Sequence, residues 1–135
     1  MSRARSWSSL LLVVSALVFM MGARQVPLTD PEPVAVPAGL KLEQVTKAIK
    51  AALVGRTWAV TSEEPGHIVS TLKLREHMAK IDIVYDLQTI KIKYLDSGEL
   101  MYAEKKGQRV IHRNYLAWIQ NLVNDMSRNL TLVQS

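Results

Sequence analysis

Between His67 and Tyr94, apolar and polar residues alternate in three successive runs along the chain. A period of two places alternate side chains of an extended strand on opposite faces, so each run predicts a strand with one buried face. The links between the runs, near residues 75–79 and 86–88, are too short for a parallel crossover, and neighbouring strands must therefore be antiparallel. The inward phase of the three predicted strands comprises Ile68, Ser70, Leu72 and Leu74, then Ile81, Ile83 and Tyr85, then Ile90, Ile92 and Tyr94.

A further strand is predicted before these three. Residues 57–62, TWAVTS, are rich in β-branched and aromatic residues, and Trp58 and Val60 share one face. The sequence EEPG that follows, residues 63–66, has the composition of a turn. The sequence therefore predicts a four-stranded antiparallel meander.

Beyond Tyr94 the pattern is less regular. Asp96, Ser97 and Gly98 form a turn signal, and the LMYA sequence after them fits either a short edge strand or an irregular return. The segment EKKGQR, which ends near residue 109, is typical of a polar loop.

Two segments flanking the predicted sheet have apolar residues at helical spacing. The first covers residues 39–54 and is followed by Gly55, a residue suited to the position after a helix. The second begins near His112 or Arg113 and runs to about Asn129. Both helices are predicted to pack on the apolar face of the sheet, which gives a two-layer α+β fold with the order αββββα. The two apolar stripes consist of Leu42, Val45, Ile49, Ala52 and Leu53, and of Tyr115, Trp118, Ile119, Leu122, Met126 and Leu130.

The first 23 residues have the pattern of a secretory signal peptide. Arg3 and Arg5 form a basic start, residues 10–21 are an apolar run, and small residues lead up to Ala23. The run is shorter than the ~20 residues that a membrane-spanning helix needs. The alternatives are an uncleaved anchor or a buried core helix.

The segment after the predicted signal, residues 24–38, is rich in proline. Proline lacks a backbone donor and disfavours helix before it, so this segment predicts a disordered tether. A chain of 135 residues favours one domain. The predicted organisation is therefore a signal peptide over 1–23, the tether over 24–38 and a single α+β domain over 39–135. The prolines of the tether are Pro27, Pro31, Pro33 and Pro37.

Charge and composition narrow the classes of partner only slightly. Without Arg3 and Arg5, 15 of the 17 Lys and Arg remain against 12 Asp and Glu, which is a mild basic excess. This excess fits anionic lipid or polysaccharide as well as it fits nucleic acid. The chain has no cysteine, which excludes disulfides, Cys metal ligands, Cys nucleophiles and lipidation through Cys.

Seven short motifs recur in a fixed order over about residues 42–126. Together they resemble a family of small exported proteins of Gram-negative bacteria, often lipoproteins, of unknown function. The resemblance implies a location in the cell envelope and implies no activity. The motifs are Arg56-Thr57-Trp58, Gly66-x-Ile68, Leu74-Arg75-x-His77, Ile81-x-Ile83-x-Tyr85, Ile92-x-Tyr94-x-Asp96-Ser97, Ile111-His112-x-x-Tyr115 and Trp118-Ile119-x-Asn121-Leu122.

The chain departs from the lipoprotein pattern at one position. Met20, Met21 and Gly22 resemble the end of a bacterial lipoprotein signal, but Ala23 stands where the lipid-bearing Cys would be. Either the protein is released in soluble form after Ala23, or the Cys has been lost or replaced.

The histidines are the first candidates for chemistry. His67, His77 and His112 do not form an HxxxH or HExxH pair, so the sequence predicts no metal site. It also contains no phosphate-binding loop or dinucleotide fingerprint, and no cofactor is predicted. An alternative function is a small periplasmic hydrolase or accessory enzyme with a site near His77, Asp96 and His112. Because the chain has no GxSxG motif around Ser97, no catalytic residue is predicted.

The polar phase of the predicted strands indicates a binding surface. It is either a plain solvated face, on which lysines also discourage edge pairing, or a shallow site for an anionic partner. The face has no stacking aromatic residue, which argues against nucleic acid. Its single predicted acid is Asp82, and its basic residues are Lys73, Arg75, Lys80, Lys91 and Lys93.

The prediction is therefore an exported protein of the periplasm or cell envelope that acts as a non-enzymatic binding or scaffolding domain. Its expected partner is a lipid headgroup, lipopolysaccharide, peptidoglycan or an acidic protein, with peripheral membrane association as one mode of binding. The ligand and the oligomeric state are left open.

Overall fold

The computed structural model describes residues 24–134, and the predicted signal peptide lies outside this range. The predicted α+β class is confirmed: the described residues form two helices and two antiparallel sheets. The sheets contain five and three strands, where a single four-stranded sheet was predicted. In chain order, the elements are β1 (Gln25–Pro27), β2 (Val34–Ala35), α1 (Leu42–Gly55), β3 (Ala59–Glu64), β4 (His67–Leu74), β5 (His77–Tyr85), β6 (Thr89–Gly98), β7 (Ala103–Lys105), β8 (Gln108–His112) and α2 (Arg113–Gln134).

The larger sheet has the strand order β2-β6-β5-β4-β3. Its last four strands form the predicted meander, and the alternation fixes their register. Ile83 on β5 lies opposite Ile68 on β4 and Ile92 on β6. A shift of one residue would turn each of these side chains towards solvent, so the buried face determines the pairing.

Both helices pack against the apolar face of this sheet and against each other. Ile49 and Leu53 of α1 and Leu122 and Met126 of α2 are fully buried. The Asn129 side chain of α2 also donates a hydrogen bond of 3.1 Å to the backbone oxygen of Ala48 in α1. The core is therefore a helical layer over one sheet face, as the two apolar stripes predicted.

The smaller sheet has the order β1-β8-β7 and was not predicted as a sheet. It is joined to the larger sheet by aromatic contacts. Tyr102 stacks on Tyr94 of β6 with ring centroids 5.1 Å apart, and Tyr115 of α2 meets Tyr94 edge-on at 5.6 Å. Burial raises the pKa of the Tyr115 hydroxyl above its usual range. These rings fix the start of α2 against both sheets.

The prediction of a disordered tether over residues 24–38 is wrong. β1 and β2 lie in this segment and pair with β8 and β6. Leu28 and Val34 are buried, and the backbone nitrogen of Leu28 donates to the oxygen of Arg109 at 2.9 Å. Pro27 is compatible with this structure because it lies in the edge strand β1, where a missing donor breaks no ladder, and the other three prolines of the segment lie outside its two strands. The folded unit therefore begins before the predicted boundary at residue 39.

The turn predicted at Asp96, Ser97 and Gly98 is also wrong, since β6 continues to Gly98. A register shift accommodates the extra length: Tyr94 pairs with Ile81, but Asp96 pairs with Lys80. Leu95 is the additional residue of this β-bulge. The bulge places Asp96 on the face of the sheet that carries Lys80.

The turn between β3 and β4 is held against the end of β5. Gly66 has φ of 81°, and a Cβ at this position would lie 3.1 Å from the backbone oxygen of Tyr85. The Tyr85 nitrogen in turn donates to the Gly66 oxygen at 2.9 Å. Glycine is thus required both for its conformation and for the close approach.

The end of α1 is tied to α2 by an ion-pair cluster around Asp125. Arg56 Nε donates to Asp125 Oδ2 at 2.7 Å, and Arg128 donates to Oδ1 at 3.0 Å. The Asp125 side chain is almost fully enclosed, with 8% of its surface exposed. The hydrogen bond from Arg56 holds the pKa of the Asp125 carboxyl below its usual range.

Asp125→Asn removes the negative charge that both arginines contact, and it is expected to lower the free energy of unfolding at neutral pH by about 1–2 kcal/mol. The loss is no larger because both arginines reach solvent, where screening weakens their attraction to the carboxylate. A carboxyl whose pKa is lowered by folding stabilises the protein above its unfolded pKa of about 3.9, and this stabilisation is lost as the pH falls through the folded pKa. The difference between wild type and variant should therefore shrink in acid. Urea unfolding at neutral and acidic pH measures it, with Glu76→Gln as an exposed control, and an equal difference at both pH values would contradict this account.

Candidate binding face

The face of the larger sheet opposite the helices carries four of the five predicted basic residues. Lys73 lies on β4, Lys80 on β5, and Lys91 and Lys93 lie on β6, each at a position that alternates with buried residues. We call this surface the open face; its outward side chains on β4, β5 and β6 are exposed or half-exposed. The remaining predicted residue, Arg75, is exposed in the two-residue turn between β4 and β5, beside Glu76.

The open face carries more acidic residues than the sequence predicted. Asp82 on β5 lies opposite Lys93 on β6 in the strand register, as the alternation implied. The β-bulge adds Asp96 opposite Lys80, and the end of β3 adds Glu64 opposite His67. The face therefore holds four lysines and three carboxylates, and is less basic than the prediction of one acid suggested.

The arrangement of these charges leaves the lysines available. Asp82 Oδ1 is hydrogen-bonded to His67 Nε2, and Asp96 Oδ1 accepts a hydrogen bond from the backbone N–H of Ser97 at 2.8 Å. Within residues 24–134, none of the four lysines forms an ion pair or a side-chain hydrogen bond. Lys73 and Lys91 have apolar cross-strand neighbours, Met78 and Val84, so no carboxylate lies directly opposite them.

The residues of the alternative hydrolase site have separate structural roles. His77 donates its Nδ1 proton to the backbone oxygen of Glu99 at 2.6 Å, and its ring centroid lies 6.4 Å from that of Trp118. His112 caps α2, because its Nδ1 accepts the backbone N–H of Asn114 at 3.0 Å. The hydroxyl of Ser97, beside Asp96, is hydrogen-bonded to the Tyr94 hydroxyl at 2.6 Å.

No hydrogen bond joins any two of His77, Asp96 and His112 in the part of the chain that the structure describes. None of these three side chains lines any of the four described pockets. The same range contains no group of three or more His, Asp or Glu residues that could hold a metal ion. The geometry therefore gives the hydrolase alternative no assembled site among residues 24–134.

A groove of about 680 Å³ lies between α1 and the end of the β3–β4 hairpin. It is the largest of the four described pockets and was not predicted from the sequence. The helical positions that line it fall on one side of α1, but the opposite wall comes from the hairpin and only the tertiary structure brings the two together. Its lining residues are Leu42, Glu43, Thr46, Lys47, Lys50, Glu63, Glu64, Pro65 and Tyr85.

Comparison of the chain with protein-family models, with curated proteins and with solved structures finds no match. Between residues 24 and 134, neither helix is long and apolar enough to cross a membrane.

Proposed function

We propose that this protein is exported to the cell envelope of a Gram-negative bacterium, where it acts as a non-enzymatic binding or scaffolding domain. Its open face holds an anionic component of the envelope, such as lipid headgroups or peptidoglycan. The observation that carries the proposal is the set of four lysines without ion-pair partners on one uncovered sheet face. The basic start, apolar run and small-residue end of residues 1–23 support export.

The geometry of the open face suits an extended charged surface better than a small molecule. Its strands are antiparallel neighbours spaced about 4.8 Å apart, so the lysines form a shallow array and not an enclosed site. A lysine held near an anionic membrane surface contributes about 1 kcal/mol to association. Because Asp82, Asp96 and Glu64 offset part of this attraction, binding should be weak and reversible.

Apolar side chains lie between the lysines on the open face and extend the surface available for binding. Val84 is 45% exposed on this face, and Val69 and Met78 are half-buried beside it. These side chains cannot stack bases in the way that aromatic residues on a nucleic-acid-binding sheet do. They can contact the apolar parts of a lipid or glycan whose anionic groups are held by lysine.

Association with envelope material should depend on charge and on salt. We expect the protein to sediment with anionic phosphatidylglycerol vesicles or with peptidoglycan sacculi at low salt, and to be released at high salt. The reason is that attraction between exposed charges is screened over a Debye length of about 8 Å at physiological ionic strength. Phosphatidylcholine vesicles, which carry no net charge, are the control.

The two anionic materials distinguish the source of the partner. Sedimentation with the vesicles alone identifies lipid headgroups, and sedimentation with the sacculi alone identifies peptidoglycan. Equal sedimentation with neutral vesicles, or association that high salt does not reverse, would contradict electrostatic binding. Failure to sediment with either anionic material would overturn the proposal.

A further inference from the structure

A small pocket lies where the end of α1, the end of β4 and the middle of α2 meet. Its volume is about 160 Å³. An apolar cavity of about 150 Å³ holds a molecule the size of benzene, so the pocket can take a small ligand. We call it the tryptophan pocket; it is lined by residues 56–58 after α1, Leu72 and Leu74 of β4, and Trp118 and Asn121 of α2.

The turn that ends α1 carries Thr57 and Trp58 into this pocket. The backbone N–H of Thr57 donates to the Val54 oxygen at 3.1 Å, and that of Trp58 donates to the Leu53 oxygen at 2.9 Å. In this helix-ending motif the left-handed position is usually glycine, but here it is Thr57, with φ of 64°. Gly55, which the sequence suggested for that position, is the last residue of α1. A β-branched residue with positive φ is strained, and such residues are frequent at ligand sites.

The indole of Trp58 brings an unused hydrogen-bond donor to the pocket. Only 3% of this residue is exposed, and its Nε1–H has no acceptor within residues 24–134. In that range no buried side-chain nitrogen or oxygen is both enclosed and unpaired, so Trp58 Nε1 must reach solvent. Of the four described pockets, the tryptophan pocket is the one that Trp58 lines. A ligand that covered this donor without accepting from it would lose affinity, because the donor would be left unsatisfied.

The other polar side chains of the pocket add more donors than acceptors. Trp118 Nε1 and the Asn121 amide are half-buried and have no hydrogen-bond partner in the part of the chain that the structure describes. The Arg56 guanidinium has five N–H groups and uses two of them on Asp125, so three remain. The side-chain acceptors are the Asn121 amide oxygen and the Thr57 hydroxyl, whose own proton goes to the Arg56 backbone oxygen at 2.6 Å. The pocket therefore favours a ligand that accepts hydrogen bonds.

The charge at the pocket is positive. Arg56 is the one charged side chain among the described residues that line it, and no carboxylate belongs to this lining. Asp125, which lies outside the lining, accepts from Arg56 through Oδ2 and from Arg128 through Oδ1. Two guanidinium groups against one carboxylate leave this ion-pair cluster with a net positive charge.

We propose that the tryptophan pocket binds a small organic carboxylate with a short apolar body. The carboxylate accepts from Trp58 Nε1–H and from Arg56, and the hydrocarbon lies against Leu72, Leu74 and the Trp118 ring. Binding sites for small molecules commonly combine such apolar walls with a few polar groups that fix orientation. The site uses none of the four lysines of the open face, so it does not rest on the proposed envelope binding.

Benzoate, benzamide and benzamidine are matched probes, because they share one ring and are anionic, neutral and cationic at neutral pH. Each is titrated into the isotopically labelled protein and followed through the indole N–H signals, which Trp7→Phe and Trp118→Phe variants assign. Benzoate should move the Trp58 signal downfield and saturate. Benzamide should bind about tenfold more weakly, because hydrogen bonds to a charged acceptor are stronger than those to a neutral one. Benzamidine should bind more weakly still.

Asn121→Asp tests the pocket with a change of charge at nearly constant shape. The new carboxylate should weaken benzoate binding by at least about tenfold, because like charges placed together in a binding site repel. Asn124→Asp is the matched control: it makes the same change at an exposed position of α2 that does not line the pocket. It should leave benzoate binding unchanged.

The preference among the three probes is measured on the wild type and needs no variant, and the urea midpoint verifies that each variant is folded. The proposal is overturned if benzamide or benzamidine binds as tightly as benzoate, or if benzoate leaves the Trp58 signal in place. Equal affinity of Asn121→Asp and Asn124→Asp for benzoate would also overturn it.

Discussion

Replacing Leu28 and Val34 together by alanine is expected to lower the free energy of unfolding by about 2–4 kcal/mol. Both side chains are buried, at 7% and 5% exposure, although they lie in a proline-rich segment that looks unstructured from the sequence. Their loss leaves space beside β8 and β6 that the surrounding structure can fill only in part. Urea denaturation at neutral pH measures the change through the midpoint, at an unchanged slope.

Thr29→Ala together with Glu32→Ala is the matched control, because both residues are exposed in the same segment. This variant should unfold like wild type. If the Leu28 and Val34 variant also unfolded like wild type, residues 24–38 would contribute no packing, and the folded unit would begin after them.

The local pattern was sufficient to predict the centre of the fold. Alternation around Ile81 and Ile83 gave the strands, their antiparallel pairing and the buried face, because a period of two leaves one way to bury both residues. Helical spacing of Ile49 and Leu53 gave the layer that covers that face. These features are repeated over several residues, and single exceptions do not disturb them.

The sequence did not reveal features that depend on one distant partner. Leu28 is structured because its backbone bonds to Arg109 on β8, and nothing in its own neighbourhood indicates that pairing. Asp96 is a residue type common in turns, but β6 continues past it to Gly98 because the bulge at Leu95 accommodates the extra residue in the strand. Proline and turn residues set local preferences, and tertiary pairing overrode both of them here.

The same distinction between local pattern and tertiary pairing applies to the candidate sites. Lys91 and Lys93 were placed on the open face correctly because they alternate with buried isoleucines. The acidic neighbour Asp96 was missed because a single inserted residue changes which face it occupies. The groove at Tyr85 was missed altogether, since its walls come from segments that meet only in the folded protein.

Reversing charge at Lys73, Lys91 and Lys93 to glutamate is expected to weaken association with anionic envelope material by at least about a hundredfold. Each lysine contributes about 1 kcal/mol to binding near an anionic surface, so the removal of three lysines costs about 3 kcal/mol. A hundredfold change in affinity corresponds to about 2.8 kcal/mol. Repulsion from the new carboxylates adds to the loss. The three side chains are exposed and have no ion-pair partner among the described residues, so the fold should be retained, as the unfolding midpoint can verify.

The most direct test of the proposed function compares this variant with one of equal net charge at low salt. In the control, Arg24, Lys41 and Arg113 are changed to glutamate, which alters exposed positions outside the open face. The measurement is the fraction of each protein that sediments with phosphatidylglycerol vesicles and with peptidoglycan sacculi. We predict that the control retains most of the wild-type association while the open-face variant loses it. Equal losses in the two variants would show that net charge alone drives association, and unchanged association of the open-face variant would show that this face is not the binding site.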